Sequence, residues 1–410
     1  MALLSQTSRP RRPDSFDVFA ERYFRWFFTS VALADLGMHL RMVVLAWLVL
    51  ELTDSPAWVG MVIGIRAVPS VILSLWGGAL ADRVPKKRVV VASRLLFGLL
   101  AFLVGLLASS GQLEAWHLLI ISVAVGFIFA LSRPAGPAWI PMLAPLQRLI
   151  SANSLLGIAS NTGEIVGPGL AGWLIGTWGT DSAFFVIAAI FLMSMLPLCP
   201  IEEDGAPPPK PKRSILLDIV DGVRYTKSSH VIMGILLLNS TALFAASIDV
   251  MIPVYARDVL RVRPGGFGIM GASLGAGFLI GSITMSFVGN LPRKGLMIWM
   301  GAIMWDFSRA SFTFSPWFSL SVFLLLVMGA GGSIYFISLM TLLQEVTSDE
   351  MRGRVMSIFH ISNDMIPLGA MLAGFLAATV NNWFPLLFGA MAAETITLPI
   401  FLLIPKFRRA

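Results

Sequence analysis

A succession of long apolar runs, separated by short polar or charged loops, limits what this chain can fold into. Residues 26–50, 57–81, 88–108, 115–136, 152–177, 182–200, 231–255, 266–288, 295–314, 317–343, 355–379 and 383–405 read as twelve such runs. Each has about the 20 residues that a helix needs to cross the roughly 30 Å hydrocarbon core of a bilayer. Lipid offers the backbone no hydrogen-bonding partner, so a helix, which pairs its own N–H and C=O groups, is the form such a run takes there. Composition agrees: 56% of the 410 residues are hydrophobic and 13% charged, against about 25% charged in a soluble domain. Mean hydropathy is +0.80. The expected fold class is all-α, a polytopic membrane protein of twelve transmembrane helices.

Charge sets the orientation. Of the 30 Lys and Arg, three (Arg257, Arg261, Arg263) fall in loops on one side of the runs, and four (Arg41, Arg66, Arg94, Arg309) inside them. The other 23 lie in the loops, tails and helix ends on the side that holds both termini. The positive-inside rule makes that side cytoplasmic, and a cell (inner, cytoplasmic) membrane is the expected location. Residues 1–22 carry charges and prolines but no apolar core of a signal peptide, so the first run is expected to act as its own insertion signal. The net charge of +7 is therefore a topology signal, and nucleic acid is not an expected partner. Cys199 is the single cysteine, and the four histidines lack metal-ligand spacing. Neither a disulfide nor a metal or other cofactor is expected.

The runs divide after the sixth. Residues 201–213, Ile-Glu-Glu-Asp-Gly-Ala-Pro-Pro-Pro-Lys-Pro-Lys-Arg, form a Pro-rich charged linker, followed by an amphipathic surface helix from Ser214 to about Ser228. The expected organisation is a cytoplasmic tail (1–25), a six-helix bundle (26–200), a linker with its surface helix (201–230), a second six-helix bundle (231–405) and a short tail (406–410). An internal repeat supports the division. Ser160-Asn161 with Leu170-Ala171-Gly172 recurs as Ser362-Asn363 with Leu372-Ala373-Gly374, at a constant offset of 202.

The loop after the second run, Gly78-Ala79-Leu80-Ala81-Asp82-Arg83-Val84-Pro85-Lys86-Lys87-Arg88, resembles the G-x-L-A-D-R-x-G-R-K/R loop of major facilitator superfamily transporters. Gly78, Asp82, Arg83, Lys86 and Lys87 match, and Pro85 replaces a glycine, which fixes φ near −65° there. The resemblance covers essentially the whole chain and implies two six-helix halves with the substrate path between them. It also implies that Asp82 latches the cytoplasmic side against the N-terminus of the eleventh helix, where a carboxylate is favoured by about 0.3–1 kcal/mol. In the fifth run, Gly163, Gly167, Pro168, Ala171 and Gly172 resemble the G-x3-G-P-x2-G-G pattern of drug/proton antiporters. Small residues at that spacing let helix backbones approach. Arg352-Gly353-Arg354-Val355, followed by Pro367-Leu368-Gly369-Ala370, is similar to the enterobactin-exporter-like branch.

Ionisable residues inside the runs cost about 2.5–3.5 kcal/mol each at mid-helix on insertion scales, so each needs a partner or a task. Asp35 and His39 share a face of the first helix, and Asp35 lies about 14 Å from its cytoplasmic end. Arg66 in the second helix is at similar depth, and an Asp35 that alternates between Arg66 and a proton is a reasonable coupling device. Asn161 and Glu164 in the fifth helix, with Asn363 and Asp364 in the eleventh, are placed to meet solute or proton. Asp306 and Arg309, three apart, and Glu394 are read as a structural ion network. Asp249 reaches water at the outer end of its helix, Arg94 and Arg133 snorkel to the cytoplasmic interface, and Trp47, Trp58, Trp116, Trp139, Trp173, Trp178, Trp317 and Trp383 form aromatic belts.

The function expected from these features is secondary active transport: proton-coupled efflux of a small amphipathic organic compound by alternating access, in a monomer whose partners are lipid, solute and protons. A solute–proton importer, or a non-transporting sensor or assembly protein on the same fold, is the alternative. No phosphate-binding loop is present for direct ATP coupling. No clustered nucleophile and base suggests an enzyme.

Overall fold

The computed structural model describes residues 17–73, 84–203, 205, 224–227, 229–288 and 294–403. No strand occurs among them, and ten helices are long and apolar enough to cross a membrane. In chain order the helical segments are α1 (Arg22–Thr53), α2 (Pro56–Leu73), α3 (Lys86–Ser109), α4 (Ala115–Leu143), α5 (149–178) and α6 (180–193). They continue as α7 (Val231–Val259), α8 (Pro264–Val288), α9 (Lys294–Thr313), α10 (Phe318–Val346), α11 (Glu350–Thr379) and α12 (Phe384–Leu403). Of the linker and surface helix, residues 204, 206–223 and 228 lie outside the described residues, and 224–227 are helical.

Local chemistry explains where the helices stop and break. Asp54 ends α1 in the left-handed region, with φ 50°, and its N–H returns to the Leu50 carbonyl. Pro56 then starts α2 in the first turn, where its missing N–H costs nothing. α5 and α6 are continuous apart from Gly179, whose φ of 84° and ψ of 169° suit a residue without a Cβ. The chain reverses there. Gly163 and Gly167 approach Asp35 and His39, running parallel to α1, whereas Thr180 meets Glu51 and Ser30 meets Ser194, running antiparallel to it. The 48-residue apolar stretch Ser151–Leu198 thus makes two passes. α9, 20 residues and about 30 Å long, packs against α10 and α12. Counted as a crossing, it brings the number to twelve.

Four of the described helices are interrupted along their length, α4 at Arg133–Pro134 among them. α2 turns at Ile65–Arg66, just before Pro69; α7 turns at Thr241 and Ala246; α11 turns at Met365, just before Pro367. A proline removes the N–H that would close the preceding turn, and such breaks are tolerated where they line a cavity.

Apart from α2, which packs chiefly on α11, helices α1 to α6 pack mainly on one another, as do α7 to α12. The strong contacts between these groups are α5 with α8 and α2 with α11. They fall in the half of the bundle away from the termini, here called the distal half. Trp47 of α1 stacks on Phe267 of α8 at 5.1 Å and 29° in the same region. Two tryptophans therefore depart from the expected aromatic belt. Trp47 is buried in the seam between the groups, and fully buried Trp139 sits edge-on to Phe27 and donates its indole N–H to the Glu203 carbonyl. Trp116, Trp173, Trp178, Trp317 and Trp383 are exposed on the protein surface.

Candidate functional site

A cavity of about 130 Å³ lies between the two groups, walled by α1, α2, α4, α5, α7 and α8. That is below the roughly 300–1,000 Å³ of most ligand pockets. Arg41, Arg66, Glu164 and Asp249 line it, together with His39. Arg66 is delivered by the break in α2, and Asp249 by the α7 turn before Pro253. The opposite charges acting on Arg66 are Asp249 and then Asp364. Glu164 faces His39. The His39 ring holds the Asp35 carbonyl through Nδ1 at 2.8 Å. A carbonyl only accepts, so Nδ1 donates in this contact.

A second cavity, about 330 Å³, opens between α1, α3, α4 and α5 on the terminal side. Asp35, Arg94 and Arg133 line it. Here the structure departs from expectation: the cation facing Asp35 is Arg94, not Arg66, with His39 next. Arg94 does not snorkel; it turns into this cavity, and its Nε has no hydrogen-bond partner among the described residues. Arg133 does not snorkel either. It forms an ion pair with Asp364 across the two groups and lies 5.5 Å from the Phe129 ring centroid. Asp249, expected in water, faces Arg66 inside.

The remaining candidates separate. Asn363 accepts a hydrogen bond of 3.0 Å from Asn239 and lines a third cavity of about 170 Å³ within the second group of helices. Asp306 and Arg309 line the same cavity and pair at 2.5 Å; Arg309 also donates to the Phe244 carbonyl at 2.6 Å. Glu394 acts on that pair. Oε1 of Glu394 is buried without a hydrogen-bond partner among the described residues. Asn161 is half-buried and lines none of the three cavities.

Two glycine contacts hold the distal half together. A Cβ on Gly172 of α5 would lie 2.7 Å from the Gly268 Cα and 2.6 Å from the Pro264 carbonyl of α8. One on Gly374 of α11 would lie 3.0 Å from the Gly60 Cα and 2.5 Å from the Pro56 carbonyl of α2. The pairs are equivalent: Pro56-x3-Gly60 recurs as Pro264-x3-Gly268 at an offset of 208, a readable signal that complements the 202-residue repeat. Gly163 and Gly167 serve the α1 contact, and the Pro168 ring lies beside Gly271. Beyond the glycines, Arg257 at the end of α7 reaches Asp54 at 2.5 Å and the Leu50 carbonyl at 2.9 Å, another cross-group contact that positional charge alone does not reveal. On the terminal side, Gly78, Asp82 and Arg83 lie outside the described residues. Lys86 is buried, and the Lys87 ammonium donates to the Ile201 carbonyl at 2.6 Å.

Comparison with known proteins places these features. The family described as transmembrane secretion effector, within the major facilitator superfamily, matches residues 14–408. The enterobactin exporter EntS of Shigella boydii is 24% identical over 397 residues, covering 94% of this chain and 93% of the relative. Among solved structures, a POT family transporter in complex with 5-aminolevulinic acid aligns with TM-score 0.77 at 11% identity, over 94% of this chain and 97% of its own. The nucleoside transporter NupG aligns with TM-score 0.73 at 14% identity, over 93% and 99%.

Proposed function

We propose, for a chain that belongs to the transmembrane secretion effector family of the major facilitator superfamily, proton-coupled efflux of a small amphipathic organic compound by alternating access. Family membership and the likeness to enterobactin exporters make it an efflux transporter that acts on a small molecule. A drug- or siderophore-like cargo, proton coupling and a monomeric state extend that assignment. The observation carrying the extension is the line of ionisable side chains running from Asp35 and Arg94 in the terminal-side cavity, through His39, to Glu164, Asp249 and Arg66 in the central one.

The line spans the interface of two helix groups that meet tightly in the distal half. With the terminal side taken as cytoplasmic, this conformation is sealed towards the outside. Solute enters from the cytoplasm, the distal seam parts, and release follows. Asp35 is the proton carrier in this scheme: a charge near mid-depth is stabilised by Arg94 or discharged by a proton, and solute occupancy shifts the balance. His39, hydrogen-bonded to the Asp35 backbone and facing Glu164, provides a relay between the cavities. A cytoplasmic membrane location with both termini inside follows from the charge asymmetry.

Sealed inverted vesicles with an acid interior test the proposal. A fluorescent amphipathic probe should accumulate in vesicles containing the protein, and a protonophore should abolish the accumulation. Equilibration without concentration, or accumulation that ignores the protonophore, would overturn proton-coupled export. Accumulation in the opposite direction, in right-side-out vesicles acidified outside, identifies an importer.

A further inference from the structure

We infer that Arg41 is the anion-holding group of the central cavity, and that the transported solute presents an oxyanion on an apolar body. The inference rests on the efflux reading and names the class of its cargo. Arg41 lies deep in α1, with 6% of its surface exposed, and lines the cavity between the two groups. Its Nε is buried without a hydrogen-bond partner, and Nη2 makes a 3.8 Å contact to the Met38 sulfur, a weak acceptor. The charge acting on it is Arg66, of the same sign.

The carboxylates nearby are engaged elsewhere. Asp249 faces Arg66, Glu164 faces His39, Asp364 pairs with Arg133, and Asp35 faces Arg94. No described side chain supplies Arg41 with a counter-charge. A guanidinium keeps its proton under all physiological conditions, so titration cannot relieve the site as it relieves a buried lysine or carboxyl. An anion from outside the protein can. The planar fork donates two parallel hydrogen bonds to a carboxylate-like group. Leu45, Val62, Ile63, Ile252 and Phe267 form the rest of the wall, a surface suited to an apolar body attached to that anion.

Dansylglycine and dansylglycinamide, alike except for the carboxylate, test the proposal by fluorescence titration of the purified protein in detergent. The acid should bind the wild type at least tenfold more tightly than the amide. Arg41→Met keeps much of the bulk but removes the charge; it should bind the acid no better than the amide, with amide binding unchanged. Arg41→Lys should keep part of the preference, since the charge remains and the fork is lost. Without ligand, Arg41→Met should melt at the wild-type temperature or above, because an uncompensated buried charge has gone. A wild type that binds neither probe, or both alike, overturns the inference. So does an Arg41→Met protein that retains the acid preference, melts lower or fails to fold, since the arginine then serves the fold. None of these measurements needs a gradient. Acid-selective binding without pH-driven transport refutes the coupling reading alone, and pH-driven transport without acid selectivity refutes this inference alone.

Discussion

At the scale of single residues, the membrane makes every buried charge a question of partnership. Asp35, His39 and Glu164 are legible in the sequence because each interrupts an apolar run, and Asp35 and His39 are one turn apart. Their partners are not legible. Arg94 rather than Arg66 faces Asp35, and Arg66 rather than water faces Asp249, because partner choice depends on how each helix is rotated about its axis. Asp35→Asn is expected to reduce pH-driven transport at least tenfold while leaving solute binding intact but independent of pH. Were Asp35–Arg94 only a structural pair, the substitution would instead destabilise the fold by about 3–5 kcal/mol, and adding Arg94→Met would restore it. Thermal melts of the single and double variants separate the two outcomes. The Arg257–Asp54 contact is exposed on its acid side, Asp54 being 86% accessible, so it is worth at most about 1 kcal/mol. Asp54→Asn should leave stability unchanged within that margin and raise modification of the distal half by an impermeant thiol reagent only modestly, read on Ala46→Cys in a Cys199→Ser background.

At the scale of elements, helix packing in lipid lacks the hydrophobic drive that operates in water, and close backbone approach takes its place. Gly172 against Gly268 and Gly374 against Gly60 are the two close approaches that seal the distal half. Their repeats, at offsets of 202 and 208, are readable in the sequence, but which glycine meets which is not, because the pairs join helices far apart along the chain. A leucine at either Gly172 or Gly374 cannot be accommodated without separating the helices; overpacking of this kind costs about 1–3 kcal/mol. Gly172→Leu and Gly374→Leu should insert and express, lose transport, and expose Ala46→Cys to the impermeant reagent from the distal side. Unchanged labelling with full transport would show that the seam is not part of the cycle. The prolines act on the same scale. Pro69 and Pro367 follow the breaks that set Arg66 and Asp364 beside the interface.

At the scale of the whole molecule, the expected topology has reporters fused at Gly111 and Pro316 outside, and at Lys87 and Pro207 inside. An outside signal at Pro207 would defeat the division into two halves joined by a cytoplasmic linker. Read alone, the sequence shows a membrane-spanning bundle of helices, about where each helix runs, and which apolar stretches carry costly charges. Those properties follow from hydropathy, helix geometry and the bilayer's thickness, all of which act on one run at a time. It also carried the family likeness, because the loop and glycine motifs are local. Three-dimensional packing sets Asp35 against Arg94, brings Asp364 to Arg133 across the groups, and buries Trp47 and Trp139. It alone left Arg41 in the central cavity without a counter-charge. Helix rotation and pairing arise from contacts between distant segments, and a small rotation changes a side chain's neighbours while leaving the hydropathy of its run untouched.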